Sequence, residues 1–217
     1  MDRVLVVAAH PDDELLGIGG TVLKHTRKGN QVRSIIMCEG ESLRYAEDVG
    51  QSEAIKAAAE VLGVEHVYLP AFPDQRLDTY TLTDIITPLE KISNEFKPNI
   101  IYCQSALDAN RDHKILFEAA NIAFRPIDAW IREFYCFYTA SSTEWGVPKQ
   151  FTPDTWIDIS GVLEEKIRAF EKYHSEIREY PHPRSLDSLR YQSHFWGNQC
   201  CMDCAEVLMT VRRTLRG

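Results

Sequence analysis

Short apolar runs and longer helical stretches alternate along the first 138 residues of the chain. The runs are rich in β-branched residues, and in the stretches between them apolar residues recur every three or four positions. This alternation is typical of a parallel sheet wrapped by helices. The nearly continuous apolar character of the runs indicates strands covered on both faces. We therefore predict five strands, at residues 4–9, 31–38, 66–69, 99–103 and 131–138.

The helical periodicity places four helices between these strands, at residues 13–28, 48–62, 82–96 and 113–124. Beyond residue 138 the pattern predicts, in order, a polar stretch, a strand, a helix, a loop rich in proline and histidine, and an amphipathic helix, at residues 139–153, 156–159, 160–173, 180–185 and 202–215. No repeat or linker divides the chain. We expect an α/β fold in one domain, residues 1–217, with a mostly parallel sheet and a C-terminal extension of helix and loop.

The composition of the 217 residues, 44% hydrophobic and 26% charged, is that of a globular protein. The net charge of −8 and the lack of a basic run argue against nucleic-acid binding. The first apolar run is too short for a secretory signal, and no stretch approaches the roughly 18 to 20 apolar residues of a membrane span. We therefore expect a cytoplasmic protein without a membrane span. Its six cysteines, two of them adjacent, suit reduced thiols better than a disulfide scaffold.

Two polar blocks follow predicted strands, where open parallel sheets bind their ligands. His10-Pro11-Asp12-Asp13-Glu14 comes directly after the first strand, and Asp108-Ala109-Asn110-Arg111-Asp112-His113 follows the fourth. Hydrolytic zinc sites commonly use three histidine or carboxylate ligands and leave one position open. His10, Asp13 and His113 meet that need, although iron or cobalt would fit the same ligands. The alternative is that the first block is only a polar turn that caps a helix.

The segments Ala9 to Glu14 and Asn110 to His113 resemble the two signature blocks of the PIG-L/LmbE family of zinc-dependent N-deacetylases. The resemblance implies a Rossmann-like three-layer sandwich, with His10, Asp13 and His113 as the Zn²⁺ ligands. It also implies that Asp12 is the general base that takes a proton from the attacking water. The implied reaction removes an acetyl group from an N-acetylglucosamine-type amino sugar within a small molecule or a glycan precursor.

Two positions depart from the pattern of this family. Many members carry a histidine where this chain has Asn110, which can donate a hydrogen bond but cannot relay a proton. Members also often carry an arginine where this chain has Gln51, and Arg44 is the nearest basic residue that could contact the substrate instead. Asn110 is therefore either a catalytic donor or an ordinary N-cap. Asp112 either orients His113 or tunes the site from outside the ligand set.

Three further residues are candidates for sugar binding. His182 and Arg184, in the proline-rich loop, could form one wall of a sugar pocket, and Asp74 could bind a hydroxyl or only shape a turn. Trp145, like Trp130 and Trp156, is interpreted as core or rim rather than as a stacking platform.

Other functions stay open at this point. The same residues would suit a hydrolase of another N-acyl group, such as formyl, in surface-glycan or antibiotic assembly. A nucleotide-binding module is disfavoured because no G-x-G-x-x-G follows the first strand; Gly17, Gly19 and Gly20 come later, inside the predicted helix. A metal-binding protein without catalysis would not need Asp12. The expected partner is a small amino-sugar substrate, and the sequence also allows a homo-oligomer.

Overall fold

The computed structural model of the chain describes residues 1–40, 50–148 and 150–215. The described residues form an α/β fold around one seven-stranded sheet. The strands, in chain order, are β1 (Arg3–Ala8), β2 (Gln31–Ile36), β3 (His66–Tyr68), β4 (Ile100–Gln104), β5 (Glu133–Phe137), β6 (Thr155–Asp158) and β7 (Ala205–Arg213). The helices are α1 (Asp13–Arg27), α2 (Gln51–Leu62), α3 (Leu82–Phe96), α4 (Arg111–Ala123), α5 (Leu163–Phe170) and α6 (Leu186–Asn198), with a short 3-10 helix at Leu77–Thr79.

The order of the strands across the sheet is β3-β2-β1-β4-β5-β7-β6. The first five strands are parallel, whereas β7 runs antiparallel to both β5 and β6. The predicted mostly parallel sheet is therefore confirmed. From β1 the chain moves outward through β2 and β3, and it then returns to the other side of β1 to form β4. That reversal makes the gap between β1 and β4 the point where open α/β sheets bind ligands.

Helices cover both faces of the sheet and make the fold a three-layer sandwich. Along β1, Val4 and Val6 belong to one buried cluster, and Leu5 and Val7 belong to the other. This alternation explains why the first strand has an unbroken apolar sequence. No helix of the described ranges has both the length and the apolar character needed to cross a membrane.

The prediction for the end of the chain is wrong. The predicted helix at residues 202–215 is instead strand β7, and helix α6 occupies a segment for which no helix is predicted. Pairing with two distant strands decides the conformation of β7, and that pairing leaves no local signal in the sequence. Glu206 added to the error because it places a charge in the buried part of the strand, where its Oε1 lies 2.8 Å from Lys166 Nζ.

The buried pair of Glu206 and Lys166 also supports a break in α1. Helical geometry is interrupted at Ile18, which has φ −138° and ψ 22°. The Glu206 carboxylate accepts hydrogen bonds from the backbone N–H groups of Gly20 and Thr21, and Lys166 Nζ donates to the carbonyl of Leu16. The two charges thus satisfy backbone groups on both sides of the break. The first turn of α1 begins with the site residue Asp13. Through the carbonyl of Leu16, Lys166 and Glu206 connect this turn to strand β7.

Candidate active site

The two polar blocks meet at the carboxyl edge of the sheet, between β1 and β4. His10 follows β1, Asp13 begins α1, and His113 lies in the first turn of α4. Asp12 caps α1 in the left-handed region, with φ 94°, so that the chain turns sharply and presents both aspartates to the site. All four side chains are buried. The structure therefore brings together the residues that the sequence singled out as ligands and base.

Three donor atoms form a small triangle that could hold a metal ion. His10 Nδ1 lies 3.2 Å from Asp13 Oδ2, His113 Nε2 lies 3.3 Å from the same oxygen, and the two ring nitrogens are 3.3 Å apart. Gln104 fixes Asp13 in place, since its Nε2 donates to Asp13 Oδ2 at 2.5 Å while its Oε1 accepts from the N–H of Ala9. Sequence reasoning missed Gln104 because it ends an otherwise apolar strand.

The charges within the triangle stabilise one another. Burial opposes the charged form of His113, but Asp13 and Asp108 outweigh it and raise its pKa to about 10. Burial likewise opposes the ionised form of Asp13, yet His113 and His10 hold the pKa of that carboxyl well below its usual value. A metal binds the neutral imidazole, so metal ions and protons compete for these rings.

In each histidine of the triangle, a carboxylate contacts the ring nitrogen that lies outside the triangle. Asp108 Oδ2 lies 2.8 Å from His113 Nδ1, and Asp112 Oδ2 lies 3.2 Å from His10 Nε2. The alternative in which Asp112 orients His113 is therefore not what the contacts show, because Asp108 takes that place and Asp112 faces His10. Asp108 was missed although it opens the second polar block. Asp112 and His10 also belong to a second group, with Cys38, that could hold a metal ion.

The base candidate Asp12 is held by an arginine from the proline-rich loop before α6. Arg184 Nη1 lies 3.2 Å from Asp12 Oδ2 and also contacts Glu176 Oε2, while Arg184 Nε donates to Ser141 Oγ at 2.8 Å. Burial raises the pKa of Asp12 well above its usual value, although the guanidinium of Arg184 lowers it. Glu176 was missed because no motif surrounds it in the sequence.

Gln51 stands where family members often carry an arginine, and Arg44 was the candidate to replace that arginine. Gln51 is buried, and its Nε2 lies 3.3 Å from Glu176 Oε1, so it joins the acidic partner of Arg184 rather than the cavity. The other candidate, Arg44, lies outside the described residues. Within the described ranges, the guanidinium that reaches Asp12 belongs to Arg184.

A cavity of about 460 Å³ opens onto the triangle. Its walls include the three triangle residues together with the predicted site residues Asn110, His182 and Arg184. Asn110 is the N-cap of α4, since its Oδ1 accepts from the N–H of Asp112, and its Nδ2 donates to Gln75 Oε1. Asp74 is not brought to the cavity: its side chain is 0% exposed, and its Oδ1 lies 3.3 Å from His10 Nε2.

Two relatives and one solved structure place this site among known proteins. The protein named uncharacterized deacetylase YaiS from Escherichia coli K12 is 28% identical over 129 residues, which cover 57% of this chain and 69% of the relative. Diacetylchitobiose deacetylase from Thermococcus kodakarensis is 26% identical over 201 residues, 82% of this chain and 71% of the relative.

The solved structure is that of a hydratase. GalB, the 4-carboxy-2-hydroxymuconate hydratase from Pseudomonas putida KT2440, superimposes with a TM-score of 0.80 at 21% identity and covers 100% of this chain and 99% of its own. This likeness shows a shared fold, and a shared fold does not fix the reaction. The family model described as GlcNAc-PI de-N-acetylase, in contrast, matches residues 5–124, more than half of the 217 residues. The chain therefore belongs to the PIG-L family.

Proposed function

We propose that the protein is a zinc-dependent hydrolase that removes the N-acetyl group from an N-acetylglucosamine-type amino sugar or its conjugate. One observation carries the proposal: the triangle of His10 Nδ1, Asp13 Oδ2 and His113 Nε2 has edges of 3.2 to 3.3 Å. Zinc holds nitrogen and oxygen donors at about 2.0–2.1 Å in a tetrahedron, whose edges are then about 3.3 Å. Membership of the PIG-L family and the names of the two deacetylase relatives support the reaction and the sugar class.

The residues around the triangle suit a zinc site better than a purely structural cluster. When Asp108 accepts from Nδ1–H of His113, the lone pair of Nε2 points to the triangle. When Asp112 accepts from Nε2–H of His10, the lone pair of Nδ1 likewise points to the triangle. Zinc bound there supplies a Lewis acid that polarises the amide carbonyl and lowers the pKa of water. The two carboxylates keep both rings in the tautomer that can bind.

Asp12 is proposed to move the proton. It neighbours the ligand Asp13, it is buried, and its raised pKa suits a group that first accepts a proton from water and then returns it to the leaving amine. Arg184 aims the Asp12 carboxylate through the contact of 3.2 Å. The side chains of His182 and Arg184 that line the cavity are proposed to contact the sugar, with the amide of Asn110 as a further donor.

Three broader expectations join this proposal. Residues 1–217 are proposed to form one domain, which is supported by a single sheet whose strands run from Arg3 to Arg213. A cytoplasmic location and a homo-oligomeric state stay predictions.

The test measures metal and activity together. Purified protein is expected to hold about one zinc ion per chain by elemental analysis and to release acetate from N-acetylglucosamine derivatives. The variant His113→Ala should lose both. An N-formyl substrate assayed in parallel separates the acetyl reaction from hydrolysis of other acyl groups.

The matched control is His194→Ala, because His194 lies on α6 with a side chain that is 46% exposed. It should keep metal and activity. Wild-type protein that binds no zinc and cannot be reconstituted would rule out the proposed function. Normal metal content in His113→Ala would rule out the proposed ligand set.

A further inference from the structure

Trp145 is the most exposed of the four tryptophans in the chain, with 52% of its surface accessible. It lines the catalytic cavity, where the ring of His182 meets its indole at 88° with the ring centroids 6.1 Å apart. An indole is costly to leave in water, because it is a large apolar surface. Its place in the wall of this cavity leaves the indole available for contact with a ligand.

The segment that carries Trp145 is held firmly against the metal-binding side of the site. Thr143 Oγ1 donates to Asp108 Oδ1 at 2.6 Å, and Asp108 Oδ2 is the partner of His113. Next to the tryptophan, Gly146 packs on the carbonyl oxygen of Leu107 so closely that an added Cβ would lie 1.8 Å from it. The backbone that carries the indole is therefore anchored to Asp108, the partner of His113, and such anchoring lowers the cost of ordering a binding surface.

A second cavity adjoins the first at Trp145. It has a volume of about 410 Å³, close to the 460 Å³ of the catalytic cavity, and the two share Trp145 and Ala109 as wall residues. Its remaining wall includes Leu107, Val147 and Pro148. Each cavity has the size of a small-ligand pocket, so the pair can receive a substrate of two units.

We propose that Trp145 is a specificity-determining residue, on which a second, hydroxylated six-membered ring of the substrate stacks within the cavity beyond it. This inference rests on the proposed function, which places the N-acetylated sugar over the triangle. The C–H bonds on one face of such a ring carry slight positive charge and suit the negative face of an indole. Binding energy gained far from the reacting amide can be used at the reacting centre. A conjugate with this second ring is therefore the preferred substrate.

The test compares two substrates that differ in the second ring. These are the methyl glycoside of N-acetylglucosamine and a disaccharide of two N-acetylglucosamine units. Wild-type enzyme should have about a tenfold higher kcat/KM for the disaccharide, which corresponds to about 1.4 kcal/mol. Trp145→Ala should lower kcat/KM for the disaccharide about tenfold more than kcat/KM for the methyl glycoside and so remove this preference, while Trp145→Phe should keep most of it.

Two controls separate failure of the inference from failure of the proposed function. Phe195→Ala removes another aromatic side chain, 57% exposed on α6, and should leave the preference unchanged. Disaccharide binding by calorimetry to the zinc-loaded Asp12→Asn variant, with and without Trp145→Ala, tests stacking without turnover. Equal wild-type rates for both substrates, or equal losses in Trp145→Ala, would overturn the inference. If wild type releases acetate from neither substrate, the proposed function fails, and the binding comparison alone then decides the role of Trp145.

Discussion

The two walls of the catalytic cavity are built in different ways. One wall, here called the metal wall because it carries the proposed ligands His10, Asp13 and His113, comes from residues at strand ends and first helical turns, and these three side chains are buried. The opposite wall, with Trp145 and Arg184, comes from loops after residue 138 and is partly open to solvent. The family match, residues 5–124, covers the first wall only.

This difference suggests that the two walls have different functions. Rigid elements hold the atoms that must keep short distances for the reaction, and loops placed on a rigid scaffold carry the contacts that distinguish substrates. The metal wall would then be common to many reactions on this fold, and the opposite wall would select the substrate. Arg184 joins the two, because it lines the opposite wall and contacts Asp12, the neighbour of Asp13 in the chain.

The largest effect is expected at Asp12, because a variant there should lose proton transfer and keep metal binding. Asp12→Asn keeps the shape of the side chain but cannot accept the proton, so kcat should fall by about 100- to 10 000-fold. Zinc content by elemental analysis should stay at the wild-type level, because Asp12 is outside the proposed ligand set. Loss of zinc in this variant would show that Asp12 is a ligand and would contradict its role as base.

A smaller effect is expected at the carboxylate behind His113. Asp108→Asn should weaken zinc binding by about 10- to 100-fold, measured by competition with a chelator, because the ring loses the partner that fixes its tautomer. Asp112→Asn, behind His10, is the matched variant and should act in the same direction. The two walls would be less separate than proposed if Asp108→Asn left zinc affinity unchanged and lowered only the disaccharide preference, since Asp108 also anchors Thr143.

The residues of the metal wall could be proposed from the sequence because they lie in two short polar blocks, far apart in the chain, that each follow a predicted strand. A sheet with parallel strands brings the ends of β1 and β4 together whatever the side chains are, so two short polar blocks suffice to locate the site. The alternation of apolar runs and helical periodicity predicted β1 to β5 and the helices between them. What it could not give was the partner of each ligand, since the contact of Asp112 with His10 depends on the exact turn of α4.

The opposite wall and the end of the chain were beyond local patterns. Strand β7 forms because β5 and β6 pair with it, and the buried Glu206 is acceptable there only because Lys166 lies 2.8 Å away. The burial of Glu176 also depends on a partner elsewhere in the chain. A charged residue in a polar stretch gives no sign that it will be buried against Arg184. The interpretation of Trp145 as a core or rim residue could not show that two cavities open beside it, because residues distant in the sequence form their walls.

The smallest catalytic effect is expected at the residue that links the walls. Arg184 contacts Asp12, Glu176 and Ser141 at once through its planar guanidinium, and a lysine ammonium cannot keep all three contacts. Arg184→Lys should therefore lower kcat by about tenfold, roughly the value of one charge-assisted hydrogen bond, with zinc content unchanged.

The matched variant is Arg178→Lys, since Arg178 lines the same cavity but donates to the backbone carbonyls of Ser175 and Ile177. Its kcat should stay within about twofold of wild type. A rise in KM alone in Arg184→Lys would mean that this arginine binds the sugar without aiming Asp12, and the two walls would then act independently.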